Sequence, residues 1–148
     1  MSDARFVYCI YIRATLQQVW EGLLEPRFTR QYWDHENVSD WKPGSRWEHR
    51  RSNAERTLDL VGEVIASDPP RRLVLTWADP ADRARREAHS RVTIELDAIA
   101  DMVRVTVTHE ALQAGSDMLR KISAGWPRVL SSLKSQLETG RPLPTWAN

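Results

Sequence analysis

The chain has 148 residues, of which 41% are hydrophobic and 28% are charged, and its formal net charge is +1 at pH 7. This size and composition are typical of one globular domain with its own core, so we expect a single domain over residues 1–148. Because the charges balance, no overall field attracts the protein to nucleic acid or to an anionic membrane, and we expect neither as a partner.

The N-terminal residues lack the apolar core of a signal peptide, and no apolar run is long enough to span a membrane. Cys9 is the single cysteine, which excludes an internal disulfide and suits a reducing compartment. We therefore expect a cytoplasmic protein.

The N-terminal third of the chain predicts one strand followed by two short helices. Residues 5–12 are rich in β-branched and aromatic side chains, which favour a strand. Thr15 and Gln18 have the spacing of a capping box, which predicts a helix that begins after Thr15. Pro26 ends that helix and can occupy the first position of a second helix over residues 26–33.

The middle of the chain predicts a run of strands joined by short turns. Hydrophobic and polar residues alternate in five segments, which favours half-buried strands. The segments are residues 46–51, 57–67, 73–77, 92–96 and 103–107. Gly62, inside the second of these segments, predicts a bulge or bend in the sheet.

Residues 116–137 predict one long amphipathic helix. Ser116 can cap its N-terminus, and Gly140 is placed to end it. Its apolar side chains fall within one band at 100° per residue. They are Met118, Ile122, Trp126, Val129, Leu130, Leu133 and Leu137. A single long amphipathic helix after a meander of strands predicts an α+β fold in which the helix packs across a curved antiparallel sheet of six to seven strands.

The order of these elements and several short motifs resemble the START-like (SRPBCC, Bet v 1-type) superfamily, and more narrowly the family of the activator of Hsp90 ATPase homologue 1. The resemblance covers nearly the whole chain. It rests on Thr15 with Val19-Trp20, Pro26 leading to Trp33, Pro43-Gly44, Gly62-Glu-Val64, Pro70 with Leu73 and Thr76-Trp77, Thr106-Val-Thr-His109, Gly125-Trp126-Pro127, Leu133-Lys134 and Glu138-Thr-Gly140. The resemblance implies a helix-grip fold with a deep, mostly apolar cavity between sheet and helix, and it implies no particular reaction.

Aromatic and histidine residues are the candidate ligand-binding residues. With seven tryptophans in the chain, Trp33, Trp47, Trp77 and Trp126 are candidate pocket walls, and core packing is the alternative for each. His109 follows the face of Val103, Val105 and Val107 and is expected to end that strand at one end of the cavity, or else to be a histidine satisfied by a backbone carbonyl.

Three further residues have open alternatives of their own. Tyr8 shares a strand face with Phe6 and Ile10, and its phenol points inward or outward. His49 and Arg51 share the face of Trp47, and they lie either in the cavity or at a solvated rim.

Several site classes are not expected from the sequence. The histidines and Cys9 have no metal-ligand spacing, and neither a nucleophile motif nor a glycine-rich phosphate loop is present, so we expect no metal and no cofactor. A basic segment around residues 83–91 is interleaved with Asp82 and Glu87, which favours a solvated loop over a nucleic-acid site.

Three functions follow from these observations. The first is binding of a small, largely hydrophobic or aromatic molecule, with no reaction established. The second is a cyclase- or isomerase-type enzyme in which His109, with Tyr8 or His49, transfers protons. The third is a partnership with Hsp90, which we disfavour because it rests on the family name and because the full co-chaperone has an additional N-terminal domain for which this chain has no room.

The tail of the chain leaves oligomeric state open. Residues 141–148 include Leu143 and Trp146, which either fold back on the sheet or dock on a partner subunit. A homodimer is therefore one of the expected assemblies.

Overall fold

Seven strands and three α-helices make up the structure, a computed structural model in which residues 3–144 are described. The strands are β1 (Asp3–Ile12), β2 (His35–Val38), β3 (Arg46–Arg51), β4 (Leu58–Asp68), β5 (Arg72–Trp77), β6 (Ser90–Ile99) and β7 (Met102–Gln113). The helices are α1 (Leu16–Leu24), α2 (Pro26–Tyr32) and α3 (Asp117–Thr139). The predicted α+β class, with two short helices after the first strand, is confirmed.

The strands form one curved antiparallel sheet in the order β1-β7-β6-β5-β4-β3-β2. Only the β1–β7 pair joins strands that are distant in sequence, so most of the sheet is a meander in which each strand pairs with the next along the chain. α3 contacts β1 and β7 and lies across the sheet. This is the predicted helix-grip arrangement, and its apolar core lies between the sheet and the three helices.

The predicted helix boundaries rest on capping interactions that the structure contains. The Thr15 hydroxyl accepts from the Gln18 backbone N–H at 3.1 Å, and the Gln18 side chain accepts from the Thr15 N–H at 2.9 Å, which completes the capping box. The Ser116 hydroxyl accepts from the Leu119 N–H at 3.1 Å at the start of α3. Gly140 ends α3 in the left-handed conformation, with φ of 81°.

The sequence prediction missed one strand and ended another too early. Residues 35–38, His-Glu-Asn-Val, form β2, which the sequence did not predict because the segment is short, mostly polar and without alternation. β7 continues to Gln113, so His109 lies within a strand and the prediction that it ends one is wrong.

Gly62 allows a close approach of a side chain to the sheet. The register irregularities of β4 lie at its pairing with residues 49–50 and at residues 64–66, so the predicted bulge is not at Gly62 itself. A Cβ atom on Gly62 would overlap the Thr76 carbonyl oxygen and Nε1 of Trp47. The Trp47 indole N–H donates to that carbonyl at 2.8 Å, and a side chain at position 62 would block this bond.

The basic segment after β5 is paired with carboxylates on the neighbouring strands. Residues 80–82 and 86–88 form two short 3₁₀ turns. Arg83 lies 3.2 Å from Glu48, and Arg86 lies 2.7 Å from Glu63. These ion pairs hold the segment against β3 and β4, in keeping with the prediction of a solvated loop.

The described part of the tail lies along α3. The Leu143 backbone N–H donates to the Ser132 hydroxyl at 3.2 Å, so the chain turns back after Gly140. Trp146, for which packing on the sheet and docking on a partner subunit are the two expected alternatives, lies outside the described residues. None of the described helices combines the length and the apolar character needed to cross a membrane.

We predict that Gly62→Ala destabilises the protein by about 3 kcal/mol, because the added methyl group displaces either the Trp47 indole or the Thr76 carbonyl. The matched control is Gly125→Ala in α3, where an added Cβ meets no atom within 4 Å. Alanine is the better helix former, so this control is expected to stabilise by up to about 1 kcal/mol. Urea unfolding followed by circular dichroism measures the free energy of unfolding of both variants. Equal stabilities for the two variants would contradict this account of Gly62.

Candidate functional site

A cavity of about 470 Å³ lies between α3 and the ends of β2, β3, β4 and β5. α3 lines it with a stripe of residues at helical spacing. These are Met118, Lys121, Ile122, Gly125, Trp126 and Val129. Gly125 leaves this part of the helix surface without a side chain, and an added Cβ there would point into open space. The cavity exists partly because the helix has glycine at this position.

Four rings form a continuous wall of the cavity, which we call the aromatic wall: Trp33, His49, Trp77 and Trp126. Between ring centroids, Trp33 lies 4.8 Å from His49 and 6.0 Å from Trp126. Trp77 lies 5.5 Å from Trp126 and 6.2 Å from His49. The contacts close into a cycle, at separations typical of interacting aromatic rings. The wall joins one residue after α2, two strands and α3.

A chain of buried hydrogen bonds behind the wall is centred on His109, which has no exposed surface. The Trp126 indole N–H donates to Nδ1 of His109 at 3.2 Å, so the histidine proton must be on Nε2. Nε2 then donates to the Ser90 hydroxyl at 2.8 Å, and that hydroxyl donates to the Trp77 carbonyl at 3.0 Å. Burial lowers the pKa of His109 to about 4, so the ring is neutral at pH 7. Both of its nitrogens are occupied.

His49 is held in the opposite tautomer. Its Nδ1 lies 2.6 Å from Oδ1 of Asn37, an oxygen that can only accept, so Nδ1 carries the proton. Asn37 is oriented in turn because its amide nitrogen donates to the Leu23 carbonyl at 3.0 Å. Burial, and then the charge of the neighbouring His35, lower the pKa of His49 well below its ordinary value. His49 is therefore a neutral ring whose Nε2 has a free lone pair.

His35 contacts both His49 and the carboxylate of Asp59. Its ring stacks on His49 at 4.2 Å, with 3° between the planes. Nδ1 of His35 lies 2.9 Å from the Trp33 carbonyl, and Nε2 lies 2.8 Å from the carboxylate of Asp59. A carbonyl and an ionised carboxylate both accept, so each ring nitrogen of His35 faces an acceptor.

Asp59 is ionised in this arrangement. Burial raises its pKa, but hydrogen bonds from Arg51 and His35 outweigh that effect and bring the pKa below the ordinary value of 3.8. Nε of Arg51 lies 2.8 Å from the same carboxylate oxygen that contacts His35. The rim of the cavity at β3 and β4 is thus a compensated cluster of charges.

Trp77 contributes an unused hydrogen-bond donor. The side chain is buried, and its Nε1 has no partner among the residues that the structure describes. A buried polar atom without a partner costs about 1–3 kcal/mol, and such atoms call for an explanation when they occur. A ligand that supplies an acceptor would satisfy this donor.

The structure brings together four of the seven candidate residues. Trp33, His49, Trp77 and Trp126 line the cavity. Trp47 is buried behind them, packed against Trp77 at 5.2 Å. His109 also lies behind the wall, and Tyr8 stacks on Phe6 on β1, outside the cavity lining.

His35, Asp59 and Lys121 are among the polar residues of the lining that were not predicted as site residues. His35 was missed because β2 was not recognised, and Asp59 and Lys121 because their positions on β4 and α3 are ordinary solvent-facing ones in the sequence pattern. The place of His35 in the site becomes visible only once β2 is paired with β3.

A larger groove of about 660 Å³ lies on another part of the surface, between α1 and the segment that precedes β3. Much of its wall consists of exposed polar side chains, such as Gln17, Asp40 and Lys42. It has no continuous aromatic wall and no unpartnered buried donor among its described residues. The smaller cavity is therefore the candidate site.

Comparison with known proteins agrees with this architecture. Residues 13–138 match the family described as Activator of Hsp90 ATPase homolog 1-like protein. No curated protein matches the sequence.

Three solved structures illustrate the likeness of fold. The Aha1 dimer from Colwellia psychrerythraea has a TM-score of 0.76 at 18% identity, covering 93% of this chain and 98% of that one. A protein from Cytophaga hutchinsonii has a TM-score of 0.72 at 23% identity, covering 93% and 95%. CalU16 from Micromonospora echinospora has a TM-score of 0.72 at 20% identity, covering 95% and 77%.

We predict that His109 makes stability fall as the pH is lowered. Above its ordinary pKa of 6.5 the ring is neutral in both folded and unfolded states. Below 6.5 the unfolded chain takes up a proton that the folded protein takes up only near pH 4, so the free energy of unfolding decreases between these values. Its contribution between pH 7 and pH 5 is about 2 kcal/mol.

Urea unfolding at pH 7 and pH 5 tests this prediction with His109→Asn, which cannot titrate. Other groups titrate in both proteins, so the informative quantity is the difference between their pH dependences. We expect the fall in stability to be smaller in the variant, and an identical fall would contradict the buried, neutral state of His109.

Proposed function

The chain belongs to the Activator of Hsp90 ATPase homolog 1-like protein family, and from this premise we propose that it binds one small, largely hydrophobic aromatic molecule in the cavity between the sheet and α3. The observation that carries the proposal is the aromatic wall, three tryptophans and a neutral histidine in mutual contact along one cavity. Stacked or tilted rings contribute large apolar contact areas to a flat ligand. The volume of about 470 Å³ lies in the usual range for small-molecule sites.

The proposed acid–base role of His109 has less support than binding. Trp126 donates to one ring nitrogen and Ser90 accepts from the other, so no nitrogen is free for a substrate. No described carboxylate is among its hydrogen-bond partners, and burial keeps the ring neutral. His109 instead fixes the positions of Trp126 and Trp77. A cyclase- or isomerase-type activity that is lost in His109→Ala with ligand affinity intact would revive the enzyme alternative.

Self-association is a separate proposal. The Colwellia psychrerythraea structure is of an Aha1 dimer. In this chain β1 is an edge strand, with Val7 50% and Tyr11 44% exposed. Light scattering of the purified protein distinguishes a dimer from a monomer. A role with Hsp90 stays the weaker alternative because it rests on the family description, and a pull-down with Hsp90 that retains nothing would remove it.

We predict that the neutral fluorescent probe N-phenyl-1-naphthylamine binds saturably, with one site per chain, and that Gly125→Leu weakens its binding. Leucine at this position projects into open space in the cavity and keeps a good helix former in α3. The expected loss is about tenfold or more, which corresponds to about 1.4 kcal/mol of contact energy. Fluorescence titration measures both dissociation constants.

The matched control is Ala124→Leu, which adds the same side chain at the neighbouring exposed position of α3. This variant is expected to bind the probe as the unchanged protein does. Equal affinity of Gly125→Leu and Ala124→Leu would place the probe elsewhere and overturn the proposed site. Native mass spectrometry of freshly purified protein, before and after denaturation, additionally identifies any copurified ligand by its mass.

A further inference from the structure

Two side chains of the cavity lining each have a ring nitrogen without a described partner, one a donor and one an acceptor. The donor is Nε1 of Trp77, a side chain that is only 6% exposed and whose N–H has no partner among residues 3–144. Tryptophan nitrogen cannot accept, so this atom requires an acceptor. The other tryptophans with described indole partners, Trp47 and Trp126, donate to protein atoms.

The acceptor is Nε2 of His49. The other ring nitrogen donates to Asn37, whose amide is fixed by the Leu23 carbonyl, so the tautomer is set by two successive hydrogen bonds. Nε2 has no hydrogen-bond partner among the described residues. Burial and the adjacent His35 hold the pKa of His49 low, so this nitrogen keeps its lone pair at neutral pH. Nε2 of His49 can therefore accept a hydrogen bond from a ligand.

The rings of Trp77 and His49 are neighbours in the aromatic wall, with centroids 6.2 Å apart and 35° between their planes. Both rings line the same cavity, so one ligand can lie against both of them. Resting on the proposed function, we propose that the cavity selects an uncharged planar aromatic molecule with a hydroxyl group. Its O–H donates to His49, and its oxygen or an adjacent carbonyl accepts from Trp77.

Charged ligands match the donor of Trp77 and the acceptor of His49 less well. A carboxylate or a phenolate only accepts, and would place an oxygen lone pair against the lone pair of His49. An ammonium group only donates, and would leave Trp77 without a partner. The rim charges do not favour either sign, because the lining, apart from its histidines, has two acidic side chains, Asp59 and Asp79, and two basic ones, Arg51 and Lys121.

Three ligands of one shape test the inference at neutral pH, where all are uncharged. Naphthalene has no polar group, 2-methoxynaphthalene has an acceptor, and 2-naphthol has a donor and an acceptor. Isothermal titration calorimetry is expected to give 2-naphthol the highest affinity and naphthalene the lowest, about tenfold apart, since two neutral hydrogen bonds are gained.

Trp77→Phe separates the role of the indole N–H from that of the ring. The substitution keeps an aromatic side chain in the wall and removes the donor. In this variant 2-methoxynaphthalene should bind no more tightly than naphthalene, while 2-naphthol should keep part of its higher affinity. Trp33→Phe is the matched control, because Trp33 belongs to the same aromatic wall and no indole bond is assigned to it. This variant should weaken the binding of all three ligands by a common factor and preserve the ratios of their affinities.

The outcomes separate this inference from the proposed function. If the unchanged protein binds all three ligands with equal affinity, the hydroxyl selection is overturned and the hydrophobic site stands. A preference for 2-naphthol that Trp77→Phe leaves unchanged would overturn the role of Trp77. If none of the three binds, both the site and its selectivity are overturned.

Discussion

The hydrogen bond from the Trp126 indole to His109 ties α3 to the sheet at the back of the cavity. From there, the bonds through Ser90 to the Trp77 carbonyl extend the connection across β7, β6 and β5. The same polar chain thus sets two of the three tryptophans in the aromatic wall. Without it the helix and sheet could still bury apolar surface, but the Trp126 indole would lose its hydrogen bond to β7.

The fold was largely predictable because its determinants are local. Alternation located the strands of the meander, and the Thr15–Gln18 capping box and the Ser116 cap located helix starts, since each of these signals depends on a few neighbouring residues. β2 was not predicted because its four residues lack apolar alternation and are strand-like only through pairing with β3. The length of β7 beyond His109 was missed for a similar reason, because its end is paired with β1.

The site was predictable only in part. Alternation correctly placed Trp47 and His49 on one face of β3, but it does not show how deep each side chain lies beneath α3, and Trp47 is packed behind the cavity. The tautomers of His49 and His109 depend on Asn37 and Trp126, which are distant in sequence. The contrast between a satisfied His109 and an open His49 is therefore a property of the tertiary structure.

The most direct test of the central claim is the ¹H–¹⁵N spectrum of the indole N–H groups during titration with 2-naphthol. The Trp77 resonance, assigned with a Trp77→Phe sample, should move progressively as its N–H gains an acceptor. The Trp47 resonance, whose N–H already donates to Thr76, serves as the internal reference and should move little. A Trp77 resonance that stays in place at saturating 2-naphthol would contradict the assignment of this cavity as a ligand site with Trp77 as its donor.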